Sequence, residues 1–445
     1  MRVGIIGGGI SGIMVAHQLQ KMGIGYDVFE QAEQPGGNIK SVRVKDYVLE
    51  MGPNALTMTE DLETLIEELK LQNELIESEP VTNKRYVLRN GKYHLLPDSP
   101  LKLATTNFFG VKTRLQFLQE PFKKAPEADK KETVGNFFRN RFGREVLDYA
   151  VGPFFSGVYG SDPDQLLIAK TFPRLYNQAL EHGSVMKSLL KNQRSHKRMI
   201  SFKNGLQTLP LAMASKLIDI HTGYPVEMIT RTHGKFIVST TSPDYVNCEY
   251  DVLVLALPAH KATPLLEFTY PGLAAALRNI NYPPIAMVHT VYRKSAVGLK
   301  LDGFGALHPK PEDPFTAGVV WSSSVFKGKC HPDEVLFTSL VGGSLFADNT
   351  RFTRVDILSK VNEELKRLYN ISSAKPVFQH FYLWSHAIPQ LDLYIEDAQE
   401  LAQTLENEKL FVAANWFSGI SVNDCLSRGL AVAKKIQALT AAGTA

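Results

Sequence analysis

The turn Gly7-Gly8-Gly9-Ile10-Ser11-Gly12 constrains this chain more than any other feature. It follows a short apolar run at residues 3–6 that reads as a buried strand. Ile13, Val15, Ala16 and Leu19 then recur at helical spacing, and Gly23 marks the helix end. A second strand at residues 26–29 stops at Glu30. Strand, G-x-G-x-x-G, helix, strand and terminal acid in that order read as a dinucleotide-binding βαβ unit. Gly7 permits the tight turn, Gly9 lets a diphosphate approach the backbone, and Gly12 lets helix and strand pack closely. The helix N-terminus, with Ser11 in its first turn, offers N–H groups to the anion. Glu30 is placed to accept hydrogen bonds from adenosine ribose hydroxyls. No Gly-Lys-Ser/Thr follows, so a Walker-type phosphate loop is excluded.

Such a unit is a fraction of 445 residues, and at ~150 residues per domain the length suggests about three units. A chain 44% hydrophobic and 21% charged can bury a core without staples. Cys248, Cys330 and Cys425 fit neither a disulfide framework nor a zinc spacing, which points to a reducing compartment and no metal. The net charge of +4 is too weak to argue for nucleic acid. No apolar run approaches the ~18 residues of a membrane-spanning helix. A first strand cut by Gly7 is not a signal peptide.

The residues after Glu30 choose the dinucleotide. Glu33-Gln34-Pro35-Gly36-Gly37 runs into Asn38-Ile39-Lys40-Ser41, with two adjacent glycines where backbone passes close to a cofactor. This sequel resembles the family of FAD-dependent amine oxidases, desaturases and porphyrinogen oxidases. The resemblance implies a discontinuous Rossmann-like FAD domain, α/β in class, joined to an α+β substrate domain. It implies FAD contacts from Gly36, Gly37, Asn38 and Trp384, and from Gly52 and Pro53 of Glu50-Met51-Gly52-Pro53. A β-rich stretch from Val226 to Ala256 would cover the adenine side. An apolar strand at 410–414 leads through Ile420, Val422 and Asn423 into a helix. Its dipole would stabilise negative charge on the reduced flavin pyrimidine.

Further blocks narrow the likeness. Lys84-Arg85-Tyr86-Val87, His94-Leu95-Leu96-Pro97, Gly157-Val158-Tyr159-Gly160-Ser161-Asp162, Gly303-Phe304-Gly305 and Gly419-Ile420-Ser421-Val422-Asn423-Asp424-Cys425 resemble the protoporphyrinogen oxidase family nearly end to end. Ser161, Ala414 and Leu391 depart mildly from its pattern. The resemblance implies oxygen-dependent oxidation of protoporphyrinogen IX in haem synthesis by non-covalent FAD, with coproporphyrinogen III as the alternative substrate. Arg85 would bind a propionate, and Phe304, Gly305, Leu307 and Leu340 would sandwich the tetrapyrrole. On sequence alone Arg85 reads more readily as a surface charge, and Leu340 equally as core. Hydride transfer to a flavin requires no side-chain base, and none is identified among the scattered histidines. Cys425 reads as a packing residue rather than a flavin attachment point.

The expected units are an FAD domain (1–81, 200–269, 405–445), a substrate domain (82–97, 270–404) and a helical insertion (98–199). The insertion is basic and amphipathic over 101–131, where Phe108, Phe109, Phe117 and Phe122 alternate with lysines, and over 184–204. Two readings stay open: a solvated helical face, or a surface for anionic lipid. The resemblance favours the second, with a cytoplasmic protein peripheral to the inner face of the cytoplasmic membrane and a homodimer by analogy. Thr57-x-x-Glu60 reads as a capping box opening a helix over 57–75. An amine oxidase or carotenoid desaturase, and a flavin-binding partner protein without turnover, are the alternative classes.

Overall fold

The computed structural model describes residues 1–97, 99–125, 127–187 and 198–442. Its first layer is a five-stranded parallel sheet in the order Ile220–Thr222, Gly25–Glu30, Arg2–Ile6, Val252–Leu255, Leu410–Val412. Val3, Ile5, Val28 and residues 252–254 are fully buried, as parallel strands covered on both faces require. The helix Ile10–Lys21 follows the glycine turn, and Gly23 takes φ +68° just beyond it. It packs against the last helix, Val422–Ala442, where Gly429 lets the two approach: a Cβ there would lie 2.8 Å from that of Met14. The three-stranded antiparallel sheet Val226–Thr232, Lys235–Thr240, Cys248–Tyr250 lies between two parallel strands in the chain.

The second layer is a seven-stranded sheet. Its order is Phe378–Trp384, Ile285–Arg293, Glu334–Gly342, Gly318–Val320, Gly305–Leu307, Arg85–Arg89, Lys92–Leu95. All neighbours are antiparallel except Arg85–Arg89 beside Gly305–Leu307. The helix Arg354–Tyr369 buries Ile357, Val361 and Leu365 against it.

From Pro100–Thr105 to Pro173–His182 the chain is mainly helical. Two π-helical stretches, Leu147–Val151 and Phe155–Tyr159, interrupt it, a distortion that concentrates at functional sites. The second ends at Gly160 (φ +61°), whose carbonyl accepts the Ser344 N–H at 2.8 Å. A Cβ on Gly343 would lie 2.8 Å from that carbonyl, so the insertion docks on the large sheet through two glycines.

Two expectations need correction. The capping box is displaced: Thr57 ends a short strand, Leu56–Thr57, paired with Met199–Phe202, and the helix is Glu60–Glu68. Thr59 caps it, its hydroxyl accepting the Leu62 N–H at 3.3 Å. The helix stops because Lys70 turns to φ +59° and Leu75 starts another strand. In the insertion Phe108, Phe109 and Phe117 are buried, whereas Phe122 is 87% exposed. Residues 188–197 of the second basic segment lie outside the described residues, and Met199–Phe202 is a strand.

Candidate functional site

One continuous cavity of about 2280 Å³ runs between the parallel sheet and the seven-stranded sheet. Gly7, Gly9 and Ser11 line it, with Glu30, Gly36, Gly37 and Asn38. Gly52, Pro53, Val226, Ala256, Trp384, Ile420, Val422 and Asn423 complete the wall expected for a cofactor. Gly12 does not line it.

The glycines have different reasons. Gly7 takes φ +109°, and a Cβ there would sit 2.5 Å from the Ala256 carbonyl. A Cβ on Gly12 would lie 2.1 Å from the Gly7 carbonyl, so this glycine serves helix–strand packing. At Gly9 a Cβ would meet nothing closer than Gly37 Cα at 4.0 Å. Open space there is what a diphosphate approaching the backbone needs. The Gly36-Gly37 pair serves partly to dock one turn on another: the Gly36 N–H donates to the Gly8 carbonyl at 2.8 Å. Gly52 is forced by Asn38, whose carbonyl would be 2.0 Å from a Cβ.

Glu30 is held before any ligand arrives. Its carboxylate accepts the Gly8 N–H at 2.7 Å and the Ala32 N–H at 2.9 Å. Two lone pairs thereby fix the carboxylate at the end of its strand, and two remain for ribose hydroxyls. At the opposite end, the Ser421 hydroxyl donates to Asp424 at 2.6 Å and accepts the Asp424 N–H at 3.1 Å, which caps the last helix. The Asn423 amide donates to the Thr57 carbonyl at 2.9 Å, while its Oδ1 is buried with no partner. An orphaned acceptor costs stability until a donor arrives. The open face of Gly9 and the unpaired Asn423 Oδ1 both fit FAD, which these residues would hold by its diphosphate and by its flavin end. Burial, opposed by a contact with Ser11, pushes the Cys425 thiol up to about 11, so it stays protonated.

The substrate-side residues divide. Arg85, Phe304 and Leu340 line the cavity, and the Arg85 guanidinium lies over the Phe304 ring at 4.5 Å. Register brings them together: Arg85 pairs with Gly305, and the Phe304 N–H donates to the Lys84 carbonyl at 2.9 Å. Gly305 and Leu307 are off the wall. A Cβ on Gly305 would lie 2.2 Å from the Val319 carbonyl, so its size serves strand packing. Leu307 packs against Gly157.

Sequence reasoning missed two features. Behind the Glu50–Pro53 wall, the Lys329 ammonium sits 3.0 Å from Glu50 Oε1, both side chains buried. It also donates to the Ser201 hydroxyl at 2.9 Å. His289 Nε2 is 3.0 Å from the Glu50 carbonyl, and Trp384 donates to the Met51 carbonyl at 2.6 Å. The segment is thus anchored at Glu50 and Met51, through side chain and backbone. His260 and His386 also line the cavity, although they are far apart in sequence. Among the described residues no cluster suits a metal ion, and no helix is long and apolar enough to cross a membrane.

Comparison with known proteins agrees with this geometry. The model of the flavin containing amine oxidoreductase family matches residues 10–437. Protoporphyrinogen oxidase 2 of Arabidopsis thaliana is 28% identical, over 96% of this chain and 92% of its own length. Coproporphyrinogen III oxidase of Bacillus subtilis is 25% identical, over 96% of both chains. A crystal structure of an Exiguobacterium sp. 255-15 protein superposes with a TM-score of 0.83 at 17% identity, covering 98% of each chain. A family match across nearly the whole chain, over a cavity built for a dinucleotide, settles the class: the chain belongs to the flavin containing amine oxidoreductases and is an FAD-dependent oxidoreductase.

Proposed function

We propose that this chain is a porphyrinogen oxidase, converting protoporphyrinogen IX to protoporphyrin IX in haem biosynthesis with oxygen as acceptor. The observation that carries the reading is the single cavity, which extends from the glycine turn to the Arg85–Phe304 pair. Its volume of about 2280 Å³ exceeds the ~300–1,000 Å³ of an ordinary ligand pocket, so a large substrate fits beside the dinucleotide. Relatives that share nearly their whole length with this chain are porphyrinogen oxidases, which supports the same reading.

Aromatisation of a porphyrinogen removes six electrons in three two-electron steps. Bound FAD supplies the two-electron acceptor. Phe304 stacks on the Arg85 guanidinium and fixes its plane, and a fixed fork suits bidentate pairing with a propionate. Leu340 and Phe304 present apolar surface to the ring. The Glu50–Lys329 pair and the Trp384 indole hold the Met51–Pro53 wall rigid while the substrate repeats its steps.

Coproporphyrinogen III is the second reading, and one observation favours it. Arg174 lines the cavity in addition to Arg85, a second guanidinium available to a substrate with more than two propionates. The three-unit division, with 98–199 as an insertion that rests on anionic lipid, and a homodimer belong to the same proposal. The test is an assay of both porphyrinogens with porphyrin fluorescence as readout. Porphyrin formation from either supports the reading and ranks the substrates. Peroxide release from amines with no porphyrin formed from either would overturn it.

A further inference from the structure

Two imidazoles meet face to face on the cavity wall. His260 belongs to the first turn of the helix Ala259–Leu266, and His386 to the loop after the strand Phe378–Trp384. Their ring centroids are 4.3 Å apart and the planes 22° from parallel. Tyr282 packs edge-on against His260, and its hydroxyl accepts the Ala259 N–H at 3.0 Å. His260 Nδ1 is buried without a partner. His386 is exposed, with its Nδ1 3.2 Å from the Ser385 hydroxyl.

The stack joins two walls. On one side, the residues just before His260 pack on the dinucleotide turn: the Ala256 N–H donates to the Ile6 carbonyl at 2.8 Å. The Ala256 carbonyl is also the atom that leaves no room for a side chain at Gly7. On the other side, Trp384 holds the Met51 carbonyl next to Gly52, which abuts Asn38. Both walls line the same cavity as Gly7, Gly9 and Asn38, the residues that would hold the cofactor.

We propose that His260 and His386 form a clasp over the FAD: stacked, they tie the two walls together and retain the cofactor, and separated, they open its way out. The proposal rests on FAD as the cofactor and not on the porphyrinogen reading. A proton on the half-buried His260 ring loses solvation in the closed stack, and protonation of both rings adds like-charge repulsion at this distance. The charged and titratable groups acting on His260 are His386 and Lys261, with Tyr282 against its edge. Burial first, then His386 and Lys261, brings His260 from its ordinary 6.5 down to about 4. Because the closed state disfavours the proton, closure is strongest above about pH 6.5 and weakens as the pH falls toward 4.

The test is the rate of FAD release from purified holoenzyme, followed by flavin fluorescence, at pH 8 and pH 5. The wild type should release FAD about tenfold faster at pH 5, and H386A should release it about tenfold faster than wild type at pH 8. The H260F/H386F variant, which keeps a flat stack but cannot titrate, should retain FAD at pH 8 and lose most of the pH dependence. His386 is exposed, so H386A apoprotein should melt where wild-type apoprotein does. An H386A release rate within about twofold of wild type would overturn the clasp. So would an H260F/H386F variant with the full pH dependence, or an H386A apoprotein that melts lower in step with its FAD loss.

Discussion

The Arg85 guanidinium lies 4.5 Å over the ring of Phe304, the residue just before the strand whose register sets Gly305 beside Arg85. The stack immobilises a donor fork that would otherwise spend rotamer entropy on binding. Arg85→Ala should raise the KM for porphyrinogen by about tenfold or more, with FAD content unchanged. Arg85→Lys should recover only part of the loss, since an ammonium cannot pair bidentately. Steady-state fluorescence kinetics and flavin absorbance check both; an unaltered KM in R85A removes Arg85 from the substrate site.

Gly9 and Gly12 should respond differently to the same methyl group. Gly12→Ala forces Cβ against the Gly7 carbonyl, so the helix must shift and soluble folded protein should be lost. Gly9→Ala places Cβ in open space, so the chain should fold with an unchanged melting temperature. Its affinity for FAD should fall about tenfold or more, because the methyl occupies the diphosphate's approach. Circular dichroism and flavin titration separate the two effects.

Lys329 is the cation that holds Glu50 buried. Lys329→Met strands a carboxylate in the protein interior and should cost about 3–5 kcal/mol of stability. Adding Glu50→Gln should return most of it, because a neutral amide keeps hydrogen bonds to Leu206 and Ser41 without the charge. Denaturant midpoints of the two variants read the difference.

Cys425 should carry no flavin. Its thiol, raised to about 11 by burial, is protonated at neutral pH and a poor nucleophile. Acid precipitation should leave the yellow colour in the supernatant; colour that stays with the pellet contradicts this.

Val111, Leu115, Leu118 and Phe122 are exposed apolar residues close together in sequence, beside Lys112, Lys123 and Lys124. Anionic liposomes should therefore co-sediment the protein, and high salt should weaken the binding. L118S/F122S should lower the bound fraction about fivefold or more without moving the melting temperature, since both side chains already face water. Protein that stays entirely in the supernatant at low salt counts against a lipid surface.

Local chemistry made the βαβ unit legible: residues 3–30 carry their own periodicity, glycines and terminal acid, and the strand and helix ends fall within a residue or two of their expected places. The helix after the Glu50 segment was legible but its start was not, because Thr57-x-x-Glu60 forms the better capping-box pattern in sequence while the observed cap is Thr59. Pairing of Leu56–Thr57 with Met199–Phe202, remote along the chain, decides between them. Gly305 and Leu307 illustrate a different limit. A motif match locates them beside Phe304, but which face of a strand meets the cavity depends on neighbours such as Val319 and Gly157. The His260–His386 contact has no local signature, since each ring acquires its partner only when two distant segments converge.

The interleaving of the sheets has a consequence for synthesis. The strand Val252–Leu255 finds its outer neighbour only in Leu410–Val412, and the Val422–Ala442 helix, whose first residues line the cavity, comes after that. Arg85 likewise waits for Gly305 before its strand has an inner partner. A ribosome-bound chain can thus complete the glycine turn early, yet the cavity wall stays incomplete until residues 410–425 have emerged. A chain cut before residue 410 should therefore fold its glycine turn yet fail to take up the yellow cofactor.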